Sequence, residues 1–430
     1  MKHHEIKTYD ALIIGAGPGG STLANLLSRA GKKVIVFEQS VFPRFHIGES
    51  LLPASLPILE DLGMKDYLEK KTVYKPGGVW IYNYSKSGKE RSTGGMFSRS
   101  IKKTSFKNKP YAYMVERSSF DLEMANCASL QGADIRFNHF VSGILGDEND
   151  VKGLRVRNNS TGESKEYFGK MLYDCSGLHS FLGKKFNLRQ VNDLKRLAVF
   201  GQFHVEKVHP SLIAGCFVGH VIKNGWTWYI PLSENILSIG VVAPMADIKN
   251  AKSSPKEYLL STLKNIKSFD KIVKENYQLK GEIKLMANFG ATSDRIYGKG
   301  WATIGDSAFF IDPCFSSGVH MSILHAKKMA ELHIRSAEVQ EEFDEGLDQL
   351  SREMMSYYEN VKRAVDTFYL TTQSKWCNAL TPILYVGPTR NYYLTVLGGD
   401  FDKCHKYMKF SLGFLKGLCF FEKCFNRIFQ

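Results

Sequence analysis

YDALIIGAGPGG, Tyr9 to Gly20, is the stretch on which the fold turns. Ala11 to Ile14 form an apolar run that stops at Gly15, and Gly15, Gly17 and Gly20 follow G-x-G-x-x-G spacing. STLANLLSRAGK then reads as a helix and VIVFE as a second strand ending in Glu38. Strand, glycine turn, helix and strand make a βαβ unit. In such a unit the glycines let backbone amides approach a pyrophosphate at the helix N-terminus, and an acid ending the second strand accepts hydrogen bonds from a ribose. Gly15, Gly17, Gly20 and Glu38 are therefore expected to bind a dinucleotide. The motif alone leaves NAD and FAD open.

A chain of 430 residues can bury a large core and is expected to form two or three interleaved domains. Apolar residues at 43% and charged residues at 23% are near soluble averages, and no apolar run approaches the ~20 residues of a membrane-spanning helix. The N-terminus has no apolar signal core before the nucleotide pattern, so a cytoplasmic protein is expected. Eight cysteines with no CxxC pair and no histidines at zinc spacing predict reduced thiols and no metal site. The formal net charge of +14 suits an acidic partner, an anionic substrate or a membrane surface, and is equally what a lysine-rich proteome produces. No lysine and arginine stripe marks the chain as a nucleic-acid binder.

Two later segments decide the cofactor. KMLYDCSGLHS (Lys170 to Ser180) reads as a strand entering an Asp-x-Ser-Gly turn, and GKGWATIGDSAFFIDPCFSSGVH (Gly298 to His320) as a strand, a Gly-Asp turn and a helix start. Both resemble FAD-binding segments of the aromatic-hydroxylase superfamily, and VERSSFD (Val115 to Asp121) resembles that superfamily's cofactor-binding arginine segment. The resemblance implies FAD, with Asp306 on its ribityl or ribose side and Arg117 and Arg44 among the residues that bind it. No second G-x-G-x-x-G follows a strand, so no nicotinamide domain is expected and a separate NAD(P)H-dependent flavin reductase is the implied electron source.

The expected fold class is α/β, a Rossmann-like FAD-binding fold of the aromatic-hydroxylase type with an inserted antiparallel substrate sheet and a helical C-terminal region. Residues 1–330 are assigned to the FAD-binding domain, with cofactor segments at about 9–60, 115–190 and 295–330. A substrate-covering sheet is expected over about 75–115 and 190–290, where FGQFHV, GCFVGHV, WTWYIPL and LSIGVVAP are the clearest strands. Residues 331–430 form the helical region.

In GWTWYIPL, Trp226 and Trp228 would face one side of a strand that ends, or lies at a sheet edge, at Pro231. Such a pair fills a core or walls a cavity. FPRFHIGESLLP (Phe42 to Pro53), WTWYIP and DPCFSSGVH, in this order, together resemble the flavin-dependent halogenases, in the branch acting on phenols and pyrroles. The resemblance implies that FADH2 and oxygen give a flavin C4a-hydroperoxide, that chloride or bromide attacks it, and that the hypohalous acid formed halogenates an electron-rich aromatic. It implies Ser317 and Gly318 as the halide site, since amides at a helix start form an anion-binding concavity. It implies Lys75, before the Pro-Gly-Gly turn of VYKPGGVW, as the residue that delivers the halogen, provided its pKa falls from about 10.4. Trp226, Trp228, Pro231, Phe315, His46 and Glu49 would line the flavin and substrate space, the last two as acid–base candidates. Phe315 stands where tryptophan halogenases carry a glutamate, which argues against free tryptophan as substrate.

Rival readings are a geranylgeranyl-reductase-like or hydroxylase-type oxidoreductase, or a silent flavoprotein that docks through its C-terminus. Residues 401–430 carry six Lys or Arg against two acids, interleaved with Phe. Such a segment packs on its own domain or lies at a lipid interface. The aromatic substrate is free or tethered to an acidic carrier protein.

Overall fold

The computed structural model describes residues 8–83, 90–97, 108–191, 195–206, 215–269, 277–287, 290–336 and 339–373, together with Val273, Gly399 and 416–418. Four strands run parallel to one another as Trp301–Thr303, Ser164–Asp174, Thr8–Ile14 and Val34–Phe37, and Asp134–Arg136 extends them in the same sense. Helix α1 (Pro18–Arg29) follows the glycine turn and is buried from Pro18 through Ser28. Its small and apolar residues suit a helix covered all round. Helix α2 (Arg117–Leu130) and helix α3 (Ser317–Arg335) pack on either side of it. This is the Rossmann-like frame that the Tyr9–Glu38 pattern predicts.

A second sheet has seven strands in the order Tyr277–Ala287, Arg196–Val205, Ile236–Pro244, Gly225–Pro231, Phe217–Ile222, Gly77–Asn83 and Glu90–Met96. Neighbours are antiparallel except Phe217–Ile222 with Gly77–Asn83, which run parallel. The sheet is two-faced because its side chains alternate. Phe200, Trp226, Trp228 and Ile230 join the main core, while Val199, Tyr229, Ile239 and Val241 pack on Leu259 and Leu263 of a separate cluster. The double-tryptophan strand does end at Pro231, but it is central, not an edge strand. Proline is tolerated there because it is the last strand residue, where one missing N–H costs little of the ladder.

Helix α4 (Gln340–Gln373) places Phe343, Leu347, Leu350, Met354, Tyr357, Val361, Ala364 and Phe368 in the main core. The three- and four-residue spacing keeps them on one stripe. The basic, aromatic segment 401–430 lies outside the described residues apart from 416–418. No described helix is long and apolar enough to cross a membrane, and no group of His, Cys, Asp and Glu among the described residues could hold a metal.

Candidate active site

A cavity of about 340 Å3 runs from the glycine turn to the second sheet. Its nucleotide end is lined by Gly15, Gly17, Pro18, Glu38, Arg44 and Arg117. Gly15 sits at φ +94°, a left-handed conformation that favours glycine, with the Cys175 carbonyl where a Cβ would lie. A Cβ on Gly20 would stand 1.9 Å from the Gly15 oxygen, whereas one on Gly17 would meet nothing nearer than Arg44, at 3.9 Å. Gly20 thus permits close packing and Gly17 keeps space open over the helix N-terminus. Gly17→Val is expected to fold with greatly reduced flavin occupancy, and Gly20→Val to lose on the order of 1–3 kcal/mol or more of stability as well. Thermal unfolding and flavin absorbance of the two variants separate these effects.

Glu38 is buried, and its two carboxylate oxygens accept the amides of Ala16 at 3.0 Å and Ser40 at 2.9 Å. It braces the glycine turn, with lone pairs left for a ribose. Arg44 and Arg117 are joined by one acid, Asp121, which accepts from Arg44 at 2.9 Å and from Arg117 at 2.7 and 3.0 Å. Burial works to raise the Asp121 carboxyl, but the Arg117 and Arg44 charges and hydrogen bonds hold it below the usual carboxylate range. Asp174 is a second buried brace: its oxygens accept from Ser176 and Leu182 amides, and Ser307 reaches it at 3.3 Å.

Asp306 lies in the turn Gly305–Ser307 and lines the cavity. Burial pushes its pKa up to about 6, against the pull of Arg117 and Arg189, and its carboxylate makes no hydrogen bond among the described residues. A recessed acid without a donor fits a polyhydroxyl chain. His325 supports this turn from behind by accepting the Gly305 amide on Nδ1 at 3.2 Å.

At the other end the chain turns through Ser316, at φ +56°, into the first turn of α3. Ser316 and Gly318 line the cavity. Ser317, predicted at the halide site, does not: it is buried in the helix start, and the half-buried Ser316, one residue earlier, lines the cavity with Gly318. Trp226 and Trp228 form the facing wall, ring centroids 5.5 Å apart, with Ile230 beside them. Two wall assignments are corrected. Pro231 alternates away from Ile230, so it is not on the wall, and Phe315 is buried edge-to-face against Phe368 at 5.9 Å.

The loop after Val34–Phe37 brings His46, Glu49 and Ser50 to the cavity. His46 holds Nδ1 2.7 Å from the Ile47 carbonyl. Glu49 is buried; Gln202 donates to its Oε1 at 3.0 Å, Ser238 also hydrogen-bonds it, and Oε2 has no partner among the described residues. Burial raises its pKa to about 7. Ser238 also accepts Trp228 Nε1–H at 3.2 Å, so the acid and the indole share one hydroxyl. Lys75 is one layer behind: its Nζ donates to Ser50 Oγ at 2.8 Å and Leu51 O at 2.9 Å, and Lys75 is only 4% exposed. Burial lowers its pKa to about 7, with Cys216 opposing weakly. A buried amine with no carboxylate partner among these bonds is held near neutrality at physiological pH.

The sequence model of the tryptophan halogenase family matches residues 67–377, and that of an NAD(P)-binding Rossmann-like domain matches 13–47. The chain belongs to the tryptophan halogenase family. A 1H-pyrrole-2-carbonyl-[peptidyl-carrier protein] chlorinase of Pseudomonas fluorescens is 29% identical over 76% of this chain and 75% of its own. A flavin-dependent halogenase of Armillaria mellea is 31% identical over 73% of this chain and 63% of its own. The structure of the flavin-dependent brominase Bmp2 superposes with a TM-score of 0.82 at 24% identity, covering 96% of this chain and 99% of that one. Like its relatives, this family member is an FAD-dependent enzyme, a flavin-dependent halogenase. The residues present fit FAD: an open glycine at a helix N-terminus beside two arginines suits a pyrophosphate, and the donor-less Asp306 suits a ribityl chain.

Gln202, Ser238 and His325 escaped the sequence reading, because each acts on a motif residue from a distant part of the chain. Asp121 and Asp174 stand inside the quoted VERSSFD and Asp-x-Ser-Gly segments but were given no role, although the Asp121–Arg117 spacing of four is a local trace of one.

Proposed function

We propose that this halogenase chlorinates or brominates an electron-rich ring of pyrrole or phenol type, with FADH2 supplied by a separate NAD(P)H-dependent flavin reductase. One observation carries the reading: a buried lysine, brought to about 7 by burial, is hydrogen-bonded to Ser50 on the wall of a cavity that the Trp226–Trp228 pair also lines. A reductase or a hydroxylase needs no such amine. Reduced FAD supplies oxygen activation when bound. Gly318 amide and the Ser316 turn at the positive end of α3 hold the halide. Trp226, Trp228 and Phe310 keep water from the hypohalous acid, and Ser50, which lines the cavity with Lys75 Nζ bonded to its hydroxyl from behind, passes the polarisation of the amine to it. Transfer obeys ArH + HOX → ArX + H2O, in which the ring loses a proton; Glu49, a cavity residue whose Oε2 is unpartnered among the described residues, accepts it in this reading. Phe315, packed away from the cavity, offers no carboxylate to a tryptophan substrate.

Presentation on an acidic carrier is supported by the +14 charge and by the carrier-bound substrate in the name of the Pseudomonas fluorescens relative. The test incubates the protein with FAD, a flavin reductase, NADH, oxygen and chloride or bromide. Free phenol- and pyrrole-carboxylic acids are compared with the same acids loaded as thioesters on a carrier protein, and products are read by halogen isotope pattern. Halogen in the pyrrole or phenol pool is the expected result, greatest for the carrier-bound form. Fast NADH oxidation without added reductase, or hydroxylated product alone, defeats the proposal.

A further inference from the structure

We infer that Tyr369 of helix α4 is a positioning residue that ties the Trp226 wall to the loop leading into the halide-binding turn, so that the two faces of the site move as one. The inference rests on the halogenase reading of that site. Trp226 Nε1–H donates to Tyr369 Oη at 3.0 Å, and Tyr369 O–H donates in turn to Asp312 Oδ2 at 2.6 Å. Asp312 Oδ1 accepts the Cys314 amide at 3.0 Å, capping the short turn Pro313–Phe315 that delivers Ser316 and Gly318 to the cavity. Trp226, Tyr369 and Asp312 are 3%, 5% and 1% exposed, so no water competes for these bonds.

Two further contacts point the same way. The Arg196 guanidinium carbon lies 3.5 Å above the centre of the Tyr369 ring, fixing its plane and placing a positive charge near Asp312. One residue earlier on α4, Phe368 packs edge-to-face on Phe315 at 5.9 Å and lies 4.9 Å from Trp80, which itself meets Trp226 at 5.7 Å. A single turn of α4 therefore grips the halide loop by a hydrogen bond and a ring, and the tryptophan wall by the same two means. Because Tyr369 both accepts and donates, its hydroxyl is the only group in this chain of bonds able to satisfy both neighbours. Phenylalanine would keep the packing and leave Trp226 Nε1–H and Asp312 Oδ2 unpaired in a dry interior.

The experiment compares wild type and Tyr369→Phe with a flavin reductase supplying FADH2, titrating bromide and the aromatic substrate separately and measuring brominated product and hydrogen peroxide. The KM for bromide is expected to rise roughly 10- to 100-fold while that for the aromatic substrate changes little, since a small misplacement of one binding face is costly. Peroxide released per product should rise with it. Wild-type bromide KM and peroxide ratio in Tyr369→Phe overturn the inference, including when its melting temperature falls, because that is what a purely structural role predicts. If Tyr369→Phe does not fold, Asp312→Asn carries the test: it retains the acceptor for Cys314 and changes the partner of Tyr369, and an unchanged bromide KM overturns the inference equally. If the wild type halogenates nothing, the functional reading fails separately. The relay is then judged by iodide quenching of indole fluorescence in the two proteins, identical quenching overturning it.

Discussion

Lys75→Ala and Lys75→Met are expected to bind FAD and release peroxide from FADH2 as the wild type does, while halogenated product falls by a factor of about 10²–10³, the usual loss when a positioned donor is removed from a site, here the amine behind Ser50. FAD occupancy is spared because, among the described residues, the Lys75 amine contacts Ser50, Leu51 and the Phe97 ring and none of Gly17, Arg44, Arg117 or Asp306. Methionine is the sharper variant: it fills the same buried volume and differs in the amine. Its stability carries a second signature. A lysine lowered to about 7 in the fold and near 10.5 when unfolded binds a proton only in the unfolded chain between those values, so wild-type stability rises with pH across that window. The slope approaches about 1.4 kcal/mol per pH unit, and it disappears in Lys75→Met. Product assays at equal flavin occupancy and urea unfolding between pH 7 and 9 check both halves. Undiminished halogenation by Lys75→Met would remove the amine from the reaction, and an unchanged slope would return it to solvent.

The sequence revealed those parts of the fold and site that local chemistry dictates. Gly15 at positive φ and Gly20 against a carbonyl are demands of one turn, so their spacing announces them. Trp226 and Trp228 share a face because strands alternate, and the structure puts both on the cavity. The same alternation, followed one residue further, turns Pro231 away, and proline's effect on the ladder said nothing of whether the strand was central. Phe315 and Ser317 failed for a related reason. Motif position fixes which turn a residue occupies but not which way it points: Phe315 was turned by packing on Phe368 of α4, more than fifty residues along the chain, and Ser317 is buried in the first turn of α3. Tyr369, Gln202 and Ser238 were illegible because nothing local marks a polar residue whose only task is to hold another from a different element.

Asp121→Asn is expected to cost on the order of 3–5 kcal/mol of stability, the usual consequence of taking one partner from a buried ion pair, and to empty the protein of FAD with it. The Asp121 side chain is fully buried and serves two cations, Arg117 at 4% exposure and Arg44 at 19%. Both arginines face the cavity, so freeing them also loosens the pyrophosphate end. The pH dependence distinguishes this acid from its neighbour Glu49. The Asp121 carboxyl lies below its unfolded value of 3.8, so its contribution is present above that value and fades only as pH falls further, which makes the deficit of Asp121→Asn flat across pH 5–9. Glu49 is raised to about 7 from 4.5 by burial, so its contribution is full below 4.5 and is lost as pH rises through 7. Glu49→Gln should therefore remove a downward slope in wild-type stability between pH 4.5 and 7 that Asp121→Asn leaves in place. Urea unfolding of the three proteins at pH 5, 6, 7 and 8 reads both effects. A deficit in Asp121→Asn below about 1 kcal/mol, the range of an exposed pair, would mean that the arginines find other partners and that the buried acid does not organise the pyrophosphate end.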